Sequence, residues 1–205
     1  MRSGLESGLP RILLLTDRTQ LPPGADLVDT VGRCAEAGLK ALILRELDLA
    51  EAARVALAHE INRRIRDHDV MVISARRWLP GADGVHLSSA QSPRDVAPAR
   101  FYGRSCHASD EVRRAAIDGA AYLTVSPVAA TESKPGYGPP LGADGVRRLT
   151  DVALGIPVFA LGGVTPDNVR AMRRAGAHGV AVMGGVMRSH NPVETFRRLQ
   201  EGAET

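Results

Sequence analysis

Short runs of apolar residues recur along the chain about every 25 residues, and most are followed by a helical pattern. The runs are continuous rather than alternating, which is typical of strands buried on both faces in a parallel sheet. Eight such runs are present, at residues 12–15, 41–44, 70–73, 82–87, 101–107, 122–125, 157–161 and 179–183. The hydrophobic pattern therefore predicts parallel strands joined by helices.

Helix signals separate most of these strands. Asp26 is placed to cap a helix that ends at Gly38, and residues 49–66 carry apolar side chains at helical spacing. The segment 77–81 is too short for a full helix, so that unit is abbreviated. The number of strands, and the absence of a G-x-G-x-x-G after the first one, favour an α/β fold of the TIM-barrel type, (β/α)₈, over an open doubly wound sheet. We expect a single TIM-barrel domain at 10–205 after a flexible tail at 1–9.

Two glycine pairs follow the seventh and eighth apolar runs, Gly162-Gly163 and Gly184-Gly185. Glycine has no Cβ, so the backbone N–H groups of such turns can approach a ligand closely. In a (β/α)₈ barrel the loops after strands seven and eight frequently bind phosphate. We interpret the pairs as a phosphate site, the alternative being ordinary turns. Thr165 is expected to cap the helix between them.

Composition narrows the classes of function. The net charge is +3, the basic residues are dispersed and aromatic residues make up 3% of the chain, which argues against a nucleic-acid partner. No apolar run is long enough to span a membrane. Cys34 and Cys106 lack metal-ligand spacing and are interpreted as reduced thiols. We therefore expect a cytoplasmic protein whose partner is a small molecule, with no nucleic acid and no membrane.

Polar residues just past the strand ends are the candidates for chemistry. Arg45 either holds an anion through its planar guanidinium or pairs with Glu46 or Asp17. His107, two residues after Ser105, is either a proton carrier near neutral pH or a solvated loop residue. His86 points either into the site or outward to a helix, and the sequence leaves both orientations open, as it does for His107.

A loop rich in proline and glycine follows the sixth strand. It contains the hydroxyls of Thr131 and Ser133 and the ammonium group of Lys134, one of two lysines in the chain. These groups are suited to closing over a phosphate or pyrophosphate as an ordered lid. The alternative is an exposed loop tip, and the rarity of lysine here favours function.

Several motifs resemble the thiamine phosphate synthase/TenI superfamily along nearly the whole chain. They are Leu15-Thr16-Asp17, the segment Gly81 to Leu87, Gly103 to His107, Ser126 to Gly136, Leu161 to Val164 and Gly176 to Met183. The resemblance implies a (β/α)₈ barrel, commonly a homodimer, that binds the thiazole phosphate of the thiamine pathway. It places the phosphate on the residues Gly162, Gly163, Gly184 and Gly185, with Thr131, Ser133 and Lys134 in the loop.

The chain departs from the synthase at the residues that would hold Mg²⁺. The synthase pattern has Asn-Asp after strand three and Asp after strand four, where this chain has Ser74-Ala75 and residues 88–91, Ser-Ser-Ala-Gln. Mg²⁺ prefers carboxylate oxygens and would neutralise the departing pyrophosphate. We therefore predict no metal ligand and no cofactor, with Mg²⁺ required only if the protein is a synthase.

Other departures concern the two activities of the superfamily. The synthase motif Gln-Leu-Arg-x-Lys corresponds to residues 43–47 here and keeps Arg45 but not the glutamine or the lysine. Arg45-Glu46 is closer to the Arg-Glu of TenI, which isomerises a thiazole carboxylate phosphate in some bacteria. The catalytic histidine of TenI falls on Pro127 in this chain.

We favour a TenI-like protein that binds thiazole phosphate or a close analogue without Mg²⁺. Proton transfer would then come from His107, Glu46 or His86. The predicted catalytic residues are His107, Glu46, Arg45 and Lys134, and the predicted ligand-binding residues are Arg45, Ser105, Thr131, Ser133, Lys134 and the two glycine pairs. One alternative is a divergent synthase in which Arg45, Ser105 and Lys134 stabilise pyrophosphate. Another is a non-catalytic regulator that binds thiazole phosphate.

Overall fold

Eight strands form a closed parallel barrel in the computed structural model, which describes residues 8–96, 98–131 and 139–204. Each strand pairs with the next, and Ile12 pairs with Val180 to close the barrel between first and last strands. The strands are β1 Ile12–Leu15, β2 Ala41–Leu44, β3 Met71–Ala75, β4 Gly84–Leu87, β5 Tyr102–Cys106, β6 Tyr122–Val125, β7 Val158–Leu161 and β8 Gly179–Val182. The (β/α)₈ prediction is confirmed.

Helices pack around the outside of the barrel. They are α1 Leu27–Glu36, α2 Glu51–Arg64, α3 Ser109–Ile117, α4 Gly142–Asp151, α5 Val169–Arg174, α6 Gly184–Met187 and α7 Pro192–Glu204. Asp26 caps α1 as predicted, because its Oδ1 accepts the Asp29 amide at 2.9 Å. No helix lies between β3 and β4 in residues 76–83, all of which are described. Among the described residues, no helix is both long and apolar enough to cross a membrane.

Alternate residues of the strands enter two separate cores. Leu13, Ile43, Tyr122 and Phe159 belong to an inner cluster that fills the barrel, whereas neighbours such as Leu14 face the helices. Since successive side chains point to opposite faces of a strand, a continuous apolar run supplies both cores at once. Leu9, which the sequence pattern places in the tail, packs against the inner cluster. Residues 1–7 of the predicted tail lie outside the described residues.

All eight strands run in the same direction, so their carboxyl ends form one rim of the barrel. The closed order places β3 and β4 opposite β7 and β8 across this rim. The loops that carry the predicted phosphate site therefore face the loops that would carry a metal in the synthase pattern.

Candidate active site

A cavity of about 660 Å³ lies at the carboxyl ends of the strands. It brings together most of the residues that the sequence predicts for the site, namely Arg45, Ser105, His107, Thr131, Gly162, Gly163, Gly184 and Gly185. Glu46 is not among the described residues that line it. Ser133 and Lys134 lie outside the described residues. The functions of all these residues stay predictions.

The turn after β7 is built from glycines that no other residue could replace without strain. Gly162 has φ +88° and Gly163 has φ +72°, and a Cβ on Gly163 would lie 2.5 Å from the Ala130 carbonyl oxygen. The amides of Gly162 and Gly163 donate no hydrogen bond to another described residue. Both glycines line the cavity, so their N–H groups are available to an anion there.

Asn168 holds this turn in place, a role that the sequence analysis missed. Its Nδ2 donates to the Gly163 carbonyl at 2.8 Å, and its Oδ1 accepts the Thr165 amide at 2.9 Å. The prediction that Thr165 caps the helix is wrong, because α5 starts at Val169 and residues 165–168 form a turn before it. The position of Asn three residues after Thr165 was the available signal, since Asx side chains commonly bond to nearby backbone.

His107 lines the cavity and has a defined tautomer. Its Nδ1 lies 2.8 Å from the carbonyl oxygen of Ser126, which can only accept, so in this bond Nδ1 carries the hydrogen. The lone pair of the neutral ring is then on Nε2. The His107 amide donates to the carboxylate of Glu111 at 2.6 Å, which fixes the backbone of this residue.

His86 points inward and is held on both sides. Its Nδ1 lies 3.0 Å from the hydroxyl of Tyr122, and its Nε2 lies 3.0 Å from the hydroxyl of Ser105. Burial lowers the pKa of His86 to about 4 and raises the pKa of Tyr122. His86 is therefore neutral near pH 7, and both His86 and Ser105 line the cavity.

The two residues at the end of β2 have different surroundings. Arg45 lines the cavity, and its guanidinium lies 3.7 Å from the carboxylate of Asp17, another lining residue. The carboxylate of Glu46 is buried and accepts both the amide and the guanidinium of Arg18 at 3.1 Å. The structure therefore brings Arg45 to the site, whereas Glu46 joins the loops after β1 and β2.

The ends of β3 and β4 do not fit the Mg²⁺ ion of the synthase pattern. The hydroxyl of Ser74 is buried and donates to the carbonyl of Arg77 at 2.7 Å, and Ala75 has no ligand atom in its side chain. Arg76 lines the cavity directly after β3. Within the described residues, no three or more His, Cys, Asp or Glu side chains are grouped so that they could hold a metal. A guanidinium and hydroxyls are a poor donor set for a hard dication.

Comparison with known proteins agrees with the fold. The family described as thiamine monophosphate synthase has a sequence model that matches residues 12–186. The thiamine-phosphate synthase of Moorella thermoacetica is 34% identical over 192 residues, covering 89% of this chain and 91% of that protein. The thiamine-phosphate synthase of Roseiflexus castenholzii is 33% identical over 204 residues, covering 94% of this chain and 88% of that protein.

Solved structures of other proteins have the same fold as this chain. The thiamine phosphate pyrophosphorylase of Pyrococcus furiosus superposes with a TM-score of 0.81 at 25% identity, covering 95% of both chains. A 3-hexulose-6-phosphate synthase superposes with a TM-score of 0.70 at 15% identity, covering 94% of this chain and 99% of that chain. At this level of identity the second likeness concerns the fold alone.

Proposed function

Because the chain belongs to the thiamine monophosphate synthase family, we propose that it binds a thiazole phosphate in its cavity and moves a proton on it without a divalent metal. One observation carries the proposal. The glycine pairs and His107 line a single cavity whose opposite rim has Ala75 and residues 88–90 where the synthase pattern has metal-binding carboxylates, with Arg76 directly beside them. This arrangement is suited to holding a phosphate ester while a single base exchanges a proton.

The phosphate is proposed to lie against the glycine pairs after β7 and β8. The N–H groups of Gly162 and Gly163 donate to no described residue, and neither glycine has a Cβ that would hold a phosphoryl oxygen away. Arg188 also lines this side of the cavity and adds positive charge. The hydroxyls and the ammonium of the loop after β6, Thr131, Ser133 and Lys134, are proposed to complete the phosphate site.

His107 is the proposed proton carrier. Of the three candidates, Glu46 is not among the described residues that line the cavity, and burial lowers the pKa of His86 to about 4, which makes its ring a weak base. His107 has its basic Nε2 in a residue that lines the cavity. In a tautomerisation, Nε2 would remove a proton from one ring carbon and return it to another position. One C–H bond breaks and one forms, so no co-reactant is needed.

A divergent synthase is the second candidate, and the names of the relatives favour it. In that reaction a C–N bond forms between the pyrimidine methylene carbon and the thiazole nitrogen, and pyrophosphate leaves. Arg45, Ser105 and Lys134 would stabilise the departing pyrophosphate. A regulator that binds thiazole phosphate without turnover is the third candidate. The homodimer and the cytoplasmic location stay predictions.

Two assays separate these candidates. The first follows isomerisation of a thiazole carboxylate phosphate by its absorbance, and the second follows thiamine phosphate formation from the pyrimidine pyrophosphate and thiazole phosphate. Each is run with Mg²⁺ and with EDTA. We expect isomerisation under both conditions and no thiamine phosphate. Mg²⁺-dependent thiamine phosphate formation at ordinary enzymatic rates would replace the proposal with the synthase, and calorimetric binding without any turnover would replace it with the regulator.

Replacing His107 by glutamine tests the proton carrier. Loss of the base should lower the turnover number about 10²- to 10⁴-fold, while the affinity for thiazole phosphate changes little. His59→Gln, the same change at an exposed histidine on α2, is the matched control and should leave turnover unchanged. Equal turnover in His107→Gln and the wild type would exclude His107 from proton transfer.

A further inference from the structure

Three arginines line the cavity, and they differ in their surroundings. Arg45 faces the carboxylate of Asp17, and Arg188 donates to the side-chain oxygen of Gln20. Arg76 makes no hydrogen bond or ion pair through its side chain with any described residue. An uncompensated cation at the wall of a concave site attracts anions more strongly than one that is already paired.

The backbone holds Arg76 in place although its side chain is unpaired in the described structure. The Arg76 amide donates to the carbonyl of His86 at 2.7 Å, and Gln91 Nε2 donates to the Arg76 carbonyl at 2.6 Å. Gln91 also accepts the amide of Ser88 at 3.0 Å, so the loops after β3 and β4 are tied together. Arg76 has φ +69°, a conformation that costs a non-glycine residue about 1–2 kcal/mol and is kept here by these bonds.

A second arginine lies beneath this position. Arg54 of α2 is 6% exposed, and its NH2 donates to the carbonyl of Ala75 at 2.8 Å. Arg54 Nε has no hydrogen-bond partner among the described residues. Two guanidinium groups therefore flank the end of β3. Their field repels a divalent cation and stabilises an oxyanion, and it is strengthened by the low dielectric around Arg54.

We propose that Arg76, with the loop of Ser88 and Ser89, forms a second oxyanion subsite that works without a metal, opposite the phosphate site. The ligand class is a small molecule with a carboxylate or a diphosphate at this end of the cavity. The inference rests on the proposed function for the phosphate at the other end. Two sources have this chemistry, the carboxylate of a thiazole carboxylate phosphate and the diphosphate of a second substrate.

Calorimetry on the full chain tests the subsite with two probes. Inorganic pyrophosphate is titrated in EDTA with the phosphate site saturated by thiazole phosphate. Separately, the affinities for thiazole phosphate and thiazole carboxylate phosphate are compared. Arg76→Gln is the test variant, and Arg77→Gln is the matched control because Arg77 is exposed, pairs with Glu51 and does not line the cavity.

In the wild type we expect the probe to bind in the presence of EDTA. Arg76→Gln should weaken this affinity about tenfold or more, since a hydrogen bond to a charged group contributes at least about 1.5 kcal/mol. If Arg76→Gln loses affinity only for pyrophosphate, the group that binds at the subsite is the diphosphate of a second substrate. If Arg76→Gln loses only the preference for thiazole carboxylate phosphate over thiazole phosphate, the group that binds at the subsite is the carboxylate. Arg76→Lys should retain part of the affinity, which separates loss of charge from loss of folding.

Two results would overturn the subsite. One is pyrophosphate binding that requires Mg²⁺, and the other is equal behaviour of Arg76→Gln and Arg77→Gln with both probes. If thiazole phosphate does not bind but pyrophosphate binding without a metal still depends on Arg76, then the proposed function fails and the subsite stands.

Discussion

His86 shows how burial decides the role of a titratable side chain. It is 7% exposed and lies between the hydroxyls of Tyr122 and Ser105, which use both ring nitrogens. Its pKa is lowered to about 4 because the charged ring would lose its hydration. A histidine in this state orients Ser105 rather than exchanging protons with a substrate.

This burial makes the stability of the protein depend on pH. The pKa of His86 is about 4 in the folded protein, below the ordinary histidine value of 6.5, so between these two values the unfolded chain binds more protons. Stability is therefore full above pH 6.5 and decreases as the pH falls through this window. From about pH 7 to about pH 5 His86 should contribute a loss of about 2 kcal/mol in the free energy of unfolding.

Urea unfolding of the wild type and His86→Gln at both pH values measures this loss. The wild type should lose about 2 kcal/mol more than the variant over the same change. His178, whose pKa burial also lowers, contributes with the same sign in both proteins and cancels in the comparison. Equal pH dependence in the two proteins would show that His86 ionises normally in the folded state.

At the scale of elements, the glycine pairs after β7 and β8 differ in how tightly they are enclosed, and only the first lies in a turn, because Gly184-Gly185 begin helix α6. Gly163 is pressed against the Ala130 carbonyl oxygen and held by Asn168. Gly185 has more space, because among the described residues a Cβ there would meet only the Val164 carbonyl oxygen, at 3.6 Å. The turn at Gly162-Gly163 is therefore fixed by the fold, whereas the start of α6 tolerates a side chain at Gly185 in the absence of a ligand.

Alanine substitutions at Gly163 and Gly185 test this difference. Gly163→Ala should lower the free energy of unfolding by about 2–4 kcal/mol, because it adds a backbone clash to an unfavourable φ. Gly185→Ala should change it by less than about 0.5 kcal/mol. Gly185→Ala should nevertheless weaken thiazole phosphate binding about tenfold, since its Cβ would block close approach to the backbone. Unfolding curves and calorimetry check the two effects, and unchanged affinity in Gly185→Ala would exclude the start of α6 from the phosphate site.

At the scale of the whole molecule, the barrel interior is a packed core and the cavity is confined to its mouth. Phe159 is fully buried, with ring-centroid distances of 5.7 Å to Tyr122 and 5.2 Å to His178. Tyr122 in turn bonds to His86. The inner core therefore supports the polar groups at the floor of the site as well as the barrel itself.

Phe159→Ala should cost about 3–5 kcal/mol in the free energy of unfolding, because a cavity would remain between rings that cannot collapse. Ile117→Ala is the control, since Ile117 is 77% exposed at the end of α3 and its change should be less than about 0.5 kcal/mol. Chemical denaturation measures the free energy of unfolding of both variants. Similar losses in the two variants would contradict a tightly packed barrel interior.

The local pattern of apolar, capping and glycine residues along the chain determined most of the architecture. Continuous apolar runs such as 41–44, the cap at Asp26 and the pair Gly162-Gly163 predicted strands, a helix and a turn that the structure confirms. The pair Gly184-Gly185 instead begins the short helix α6. These features depend on a residue and its near neighbours in the chain, so they can be predicted from the sequence alone. The missing helix between β3 and β4 was predictable for the same reason, because only a few residues separate the two strands.

Tertiary structure decided which side chains meet. The bonds from His86 to Tyr122 and Ser105, and from Glu46 to Arg18, join residues on different strands or loops. The turn held by Asn168 replaced the predicted cap at Thr165, because a local bond competed with the helix start. Whether a polar residue past a strand end serves the site or the fold depends on partners brought close by barrel closure. The sequence by itself therefore determined the barrel and the glycine turn after β7, and only the closed barrel decided which charges remain available to a ligand.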